Sequence, residues 1–119
     1  MKKIITLLFI ALVSTSITFA QNNSTKKADK LFDRLEYVKA AEEYLKLADK
    51  SPDNYIIERL ADSYYNIFNT REAEKWYSKI IDDEPDAEVI FRYSEMLKAN
   101  GKYKDCLLYT SPSPRDPWT

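Results

Sequence analysis

Residues 61–85 read ADSYYNIFNTREAEKWYSKIIDDEP, and residues 28–52 read ADKLFDRLEYVKAAEEYLKLADKSP. Laid one over the other, they repeat at a constant offset of 33: Ala28 with Ala61, Asp29 with Asp62, Ala40 with Ala73, Tyr44 with Tyr77, Lys46 with Lys79, Asp49 with Asp82, and Pro52 with Pro85. Leu31 with Tyr64, Phe32 with Tyr65 and Leu47 with Ile80 keep apolar or aromatic character at the same offset. A third copy opens with Ile90, Tyr93 and Ser94, which follow Ile57, Leu60 and Ala61 by the same interval. A period of this length signals stacked supersecondary units rather than one closed globule.

Each unit reads as two helices. Leu60, Ala61, Tyr64 and Phe68 form one apolar stripe at helical spacing, and Ala73, Trp76, Tyr77, Ile80 and Ile81 form another. Thr70 stands between them as a candidate N-cap. Pro52 and Pro85 close the pairs, because proline lacks the N–H that a helix interior needs. Ala28, Ala40, Ala61 and Ala73 fall where helices approach closely, and Tyr44 and Tyr77 fill the wider gaps. The fold class is therefore all-α, built of helical hairpins.

The chain around this array bounds what it can do. Its 119 residues carry 18 Lys+Arg against 19 Asp+Glu, a net charge of -1, with one Gly, one Cys and no His. Such a balance gives no footprint for nucleic acid. Without His, the commonest general base and metal ligand are missing, and one Cys makes no internal disulfide. No catalytic residue, cofactor, metal or small-molecule substrate is expected. At the N-terminus, Lys2 and Lys3 precede the apolar run Ile4 to Val13 and the small, polar stretch Ser14 to Ala20. That order is a secretory signal peptide over residues 1–20, with Thr18 and Ala20 at the small-residue positions and Gln21 as the mature start. The apolar run is too short to cross a bilayer as a helix. Residues 21–23 are a spacer.

The repeat resembles the tetratricopeptide (TPR) motif. The motif's small, aromatic, small, aromatic and Pro positions are Ala61, Tyr64, Ala73, Tyr77 and Pro85 in the second copy, and Ala28, Tyr37, Ala40, Tyr44 and Pro52 in the first. Ser94, Leu97, Gly101 and Tyr103 serve in the third. The copies span 24–52, 53–85 and an incomplete 86–105, about two and a half repeats. The period is 33 where the motif has 34, and the first two turns lack Gly. The resemblance implies a groove lined by the first helix of each pair that holds segments of other proteins. Its groove positions fall on Asp29, Phe32 and Asp33, and on Tyr55, Glu58, Asp62, Tyr65 and Asn66. Their carboxylates and aromatics suit a basic or amphipathic peptide. Asp82, Asp83, Glu84 and Asp86 read as a polar loop between units rather than a cation site.

Beyond Asp105 the pattern breaks. The repeat calls for a small residue at 106 and an amphipathic helix after it, but the chain reads CLLYTSPSPRD over residues 106–116, with Pro112 and Pro114 close behind. Two such prolines argue against that helix. The eleven residues also match the translation of the adapter used in transposase-based sequencing libraries. Residues 106–119 are accordingly expected to be a foreign, disordered tail on a truncated gene, leaving Phe91, Tyr93 and Leu97 of the last helix uncovered.

The order of signal peptide, spacer and repeats, with KADKLF, YVKAAEEYLKLADKSP and EAEKWYSKI, resembles the exported OmpA-family proteins of Bacteroidota type. That resemblance implies a periplasmic, outer-membrane-associated interaction scaffold, binding peptidoglycan only through a domain downstream of this segment. The alternatives are the binding module of an exported enzyme whose catalytic domain lies past residue 105, and a stand-alone TPR adaptor.

Overall fold

The structure, a computed structural model, describes residues 24–110. The expected signal peptide and spacer, and residues 111–119 of the expected tail, lie outside them. Among the described residues there are six helices and no strand: α1 (24–33), α2 (Tyr37–Lys50), α3 (Asn54–Asn66), α4 (Thr70–Ser78), α5 (Ala87–Ala99) and α6 (Tyr103–Thr110). None is long and apolar enough to cross a membrane.

The sequence period is a structural period. The second helices of the three hairpins begin at Tyr37, Thr70 and Tyr103, and α3 and α5 begin at Asn54 and Ala87, each step being 33 residues. Local chemistry fixes these starts. Asp53 accepts a bond from the Ile56 N–H at 2.9 Å, and Asp86 accepts one from Val89 at 3.0 Å, so one carboxylate cap recurs at the period. The cap of α4 is Asn69, whose side chain accepts from the Glu72 N–H at 3.4 Å, and not Thr70. Thr70 is already helical. Its hydroxyl bonds the Asn100 side chain at 2.7 Å, and Asn100 donates back to the Thr70 carbonyl and to Glu74, both at 3.0 Å, tying the second hairpin to the third.

The turns inside the hairpins share a left-handed residue at the same interval: Leu35 (φ 63), Phe68 (φ 58) and Gly101 (φ 81). Each closes the preceding helix with the same two backbone bonds. Leu35 N–H donates to the Phe32 carbonyl and Glu36 N–H to Leu31, Phe68 to Tyr65 and Asn69 to Tyr64, Gly101 to Lys98 and Lys102 to Leu97. This is the Schellman arrangement, which favours glycine at the left-handed position. Gly101 is therefore a backbone residue rather than a packing residue: it is exposed, and a Cβ there would meet nothing. Pro52 is likewise exposed, beyond the end of α2.

Close approach of the helices rests on small residues. Ala28, Ala40, Ala61 and Ala73 are all 0% exposed, as are Tyr44 and Tyr77, and Ser94 is also buried. One core cluster gathers Ala28, Ala40, Tyr44 and Leu60, and another gathers Ala61, Ala73, Tyr77, Val89 and Leu97; half-buried Tyr64 and Trp76 pack against both. Two expectations are corrected here. The stripe of α4 does not continue as α-helix through Ile80 and Ile81. The helix ends at Ser78 and tightens into i to i+3 bonds, while both isoleucines stay buried. The Ser78 hydroxyl competes for the Lys75 carbonyl, and the β-branched pair followed by Asp82 and Asp83 is poor helix material.

The segment after Asp105 is the second correction. It is helical to Thr110, and half-buried Cys106 takes the register position of Ala40 and Ala73. Its N–H bonds the Lys102 carbonyl as theirs bond Glu36 and Asn69. A proline disfavours helix at the residue before it but not at earlier ones, so Pro112 leaves the turns up to Thr110 free to form. Tyr93 and Leu97 are consequently buried, with the Tyr109 ring 5.1 Å edge-on to Tyr93, and of the three residues expected to be uncovered only Phe91 is exposed.

Candidate functional site

A hollow of about 380 Å³ runs across the first helices of successive hairpins, with Phe32 of α1, Tyr55, Glu58, Arg59 and Asn66 of α3, and Glu88 and Arg92 of α5 in its wall. The sequence-derived groove positions meet here in part. Phe32, Tyr55, Glu58, Asp62 and Asn66 line it. Asp29 lies beside it, Asp33 is exposed at the end of α1, and Tyr65 stands at the α5 side, donating to Glu95 at 2.5 Å.

The carboxylates are not free in the way the sequence suggested. Asp62 is 5% exposed. Its Oδ1 accepts the Tyr77 hydroxyl at 2.5 Å and pairs with the Arg92 guanidinium at 2.7 Å. Burial first, and then the Asp62 carboxylate, push the Tyr77 phenol far above its ordinary range. Burial works to lower the Arg92 pKa, but the bond to Asp62 outweighs it and the guanidinium stays charged. Asp62 is thus a structural anion joining α3, α4 and α5, unavailable to a basic ligand. One period earlier, Asp29 accepts the Tyr44 hydroxyl and, at 2.9 Å, the Tyr55 hydroxyl. Burial and Asp29 raise both phenols.

Arg59 and Arg92 are the members that sequence reasoning missed. They stand one period apart, each over the aromatic ring of the preceding first helix: Arg59 lies 4.5 Å from the centroid of Phe32, and Arg92 lies 5.2 Å from that of Tyr65. Cation and ring attract through the ring quadrupole. The signal was present, since Asp29 and Asp62, Tyr44 and Tyr77, and Arg59 and Arg92 all recur in identity at the offset. In the later copy the three are partners of one another, whereas in the earlier copy only Asp29 and Tyr44 are.

Glu58 is a half-buried carboxylate of the groove wall. Burial raises its pKa, Asp62 and Asp86 add to the rise, and the Arg59 and Arg92 charges act to lower it. The hollow therefore offers rings, a half-buried carboxylate and stacked guanidinium groups, a surface for charged and apolar side chains. Asp86 is used as a helix cap and Asp83 accepts from Asn54, and among the described residues no three His, Cys, Asp or Glu are placed to hold a metal. A larger hollow, about 1070 Å³, lies where α6 meets α5, but Cys106 and Leu107 of the expected foreign segment form part of its wall. No family model, no curated protein and no solved structure matches this chain.

Proposed function

We propose that the chain is a non-enzymatic interaction scaffold, its groove across α1, α3 and α5 holding an extended or helical segment of a partner protein. The observation that carries the reading is the recurrence of the groove's ring and cation at the repeat interval, Phe32 beneath Arg59 and Tyr65 beneath Arg92. A repeated array of this kind presents a continuous inner surface, which is how helical-repeat modules engage peptides. The hairpins are TPR-like in their small and aromatic positions. By the resemblance of the chain's order to exported OmpA-family proteins, the scaffold works in the periplasm at the outer membrane, after loss of residues 1–20. Any contact with peptidoglycan belongs to a domain downstream.

The test is a photo-crosslinking amino acid placed in the living source cell. At Asn66 in the groove it should yield a discrete adduct with a partner protein, and at Lys39, on an exposed surface of α2, none. Adducts equal in yield and identity at both positions would remove the groove from the account. N-terminal sequencing of the same protein should begin at Gln21, and retention of residues 1–20 would remove the export reading.

A further inference from the structure

Two of the three left-handed turn positions hold residues that gain nothing from the fold there. Leu35 (φ 63) and Phe68 (φ 58) adopt the conformation that Gly101 takes one period on, and their side chains are 69% and 74% exposed. The left-handed well strains any residue with a Cβ, and an exposed leucine or phenylalanine recovers none of that strain by burial. Strain kept at one position of two successive repeats points to a task outside the fold.

Other exposed apolar side chains gather at the same turns. Val38 follows Leu35 by three residues, Ile67 adjoins Phe68, and Tyr103 opens α6 two residues after Gly101. Because the hairpins stack in one sense, the three turns share an edge. Bonds between Thr70 and Asn100 pin the second turn to the third, and Phe68 and Tyr103 stand on one hollow. The opposite edge holds the connections between hairpins, and charge divides the same way. Residues 33–39, 66–72 and 99–105 carry five cations and four carboxylates, while 49–53 and 82–86 carry six carboxylates and one lysine. Arg34, Arg71 and Lys104 are exposed beside the apolar tips, and among the described residues the acidic edge exposes no large apolar side chain.

We propose that the turn edge lies on a lipid surface with anionic headgroups, Leu35 and Phe68 entering the boundary between headgroups and acyl chains while the acidic edge faces away. The tips project singly from successive turns, and a fluid interface takes up separate side chains without a matching shape, whereas a protein partner would have to supply one. Cations beside the tips meet the headgroup phosphates, and a tyrosine at Tyr103 suits the same depth. The edge is separate from the hollow across α1, α3 and α5, so the proposal does not depend on what that hollow holds.

A fluorophore on a single introduced cysteine, in the full chain with Cys106→Ser, reads which edge meets lipid. Val38→Cys marks the turn edge and Asp82→Cys the opposite one. Each is mixed with phosphatidylcholine vesicles containing about 30% phosphatidylglycerol and a nitroxide-bearing lipid as quencher. The readout belongs to one position, so it is indifferent to any hold that residues 4–13 have on the vesicle. Quenching at Val38→Cys should exceed that at Asp82→Cys by about three-fold or more, and should fall by about half on vesicles of phosphatidylcholine alone. Adding Leu35→Gly and Phe68→Gly should abolish the excess while the helical circular dichroism signal stays, since glycine suits both turns. Equal quenching at the two positions, none at either, or an excess that survives both glycines would overturn the proposal. So would shielding of the Val38→Cys probe without vesicles that deepens with protein concentration, which would give the edge to a second copy of the chain.

Discussion

The junction between the second and third hairpins and the junction between the first and second are built from the same residues at the same interval, yet they are bolted differently. At the later junction Asp62 gathers Tyr77 and Arg92 into one buried knot. At the earlier one Asp29 gathers two tyrosines, and the arginine lies over the rings of Phe32 and Tyr55 with no ion pair to Asp29. The difference traces to Tyr55 against Glu88, one period later. One position thus decides whether a repeat-conserved cation is spent on stacking the array or left in the groove.

The largest expected effect is at the knot. Asp62→Ala strips the carboxylate from a buried phenol and leaves the mostly buried Arg92 guanidinium with only the exposed Glu88, and should lower unfolding free energy by about 3 kcal/mol in urea titration. Asp29→Ala leaves two phenols, one of them 46% exposed and able to turn to water, and should cost about 1 to 2 kcal/mol. Equal losses would break the contrast. Next comes packing common to both hairpins: Ala73→Leu forces α3 and α4 apart and should cost about 1 to 3 kcal/mol, with Ala40→Leu similar. A melting curve unchanged by either would count against the small-residue contacts.

Smaller effects lie in the turns. Gly101→Ala should cost about 1 kcal/mol, because an L residue strains at φ 81. Phe68→Gly relieves the same strain one period earlier and should gain a few tenths, up to about 1 kcal/mol, as the side chain is 74% exposed and loses little burial. Both signs reversed in thermal melts would show that the three turns are not equivalent.

The smallest effect concerns Glu58. Its pKa is raised in the fold above the ordinary 4.5, so the folded state holds the proton more tightly and ionised Glu58 opposes folding. That opposition is absent below the ordinary value and grows as pH rises through the raised one. Glu58→Gln should therefore raise Tm at neutral pH and leave it unchanged near pH ~3.5. A gain of equal size at both pH values would assign the effect to something other than charge.

Much of this was legible in residue order, for reasons particular to each position. Ala28, Ala40, Ala61 and Ala73 announced themselves because close helix approach admits few alternatives to a small side chain. Prolines and the offset placed the hairpin boundaries. The knot was not legible in the same way, because Tyr44 and Tyr77 were read for bulk while their hydroxyl groups do the joining. Asp62 reads as a polar helix face until its partners, 15 and 30 residues away, are folded onto it. Asn69 outcompeted Thr70 as cap through the geometry of the turn set by Phe68, which no local propensity reveals. The helix over Tyr103–Thr110 was missed because Pro112 was given more reach than its ring has: proline disfavours helix for the residue before it and not for those a turn and a half away.

A pair of double-mutant cycles, in urea, tests the contrast between the junctions most directly, one pairing Asp62→Asn with Arg92→Gln and the other pairing Asp29→Asn with Arg59→Gln. A buried charge-assisted bond should give the first pair a coupling of about 2 kcal/mol, while the second should couple within about 0.5 kcal/mol of zero. Equal couplings at the two junctions would contradict the assignment of Arg92 to the fold and of Arg59 to the groove.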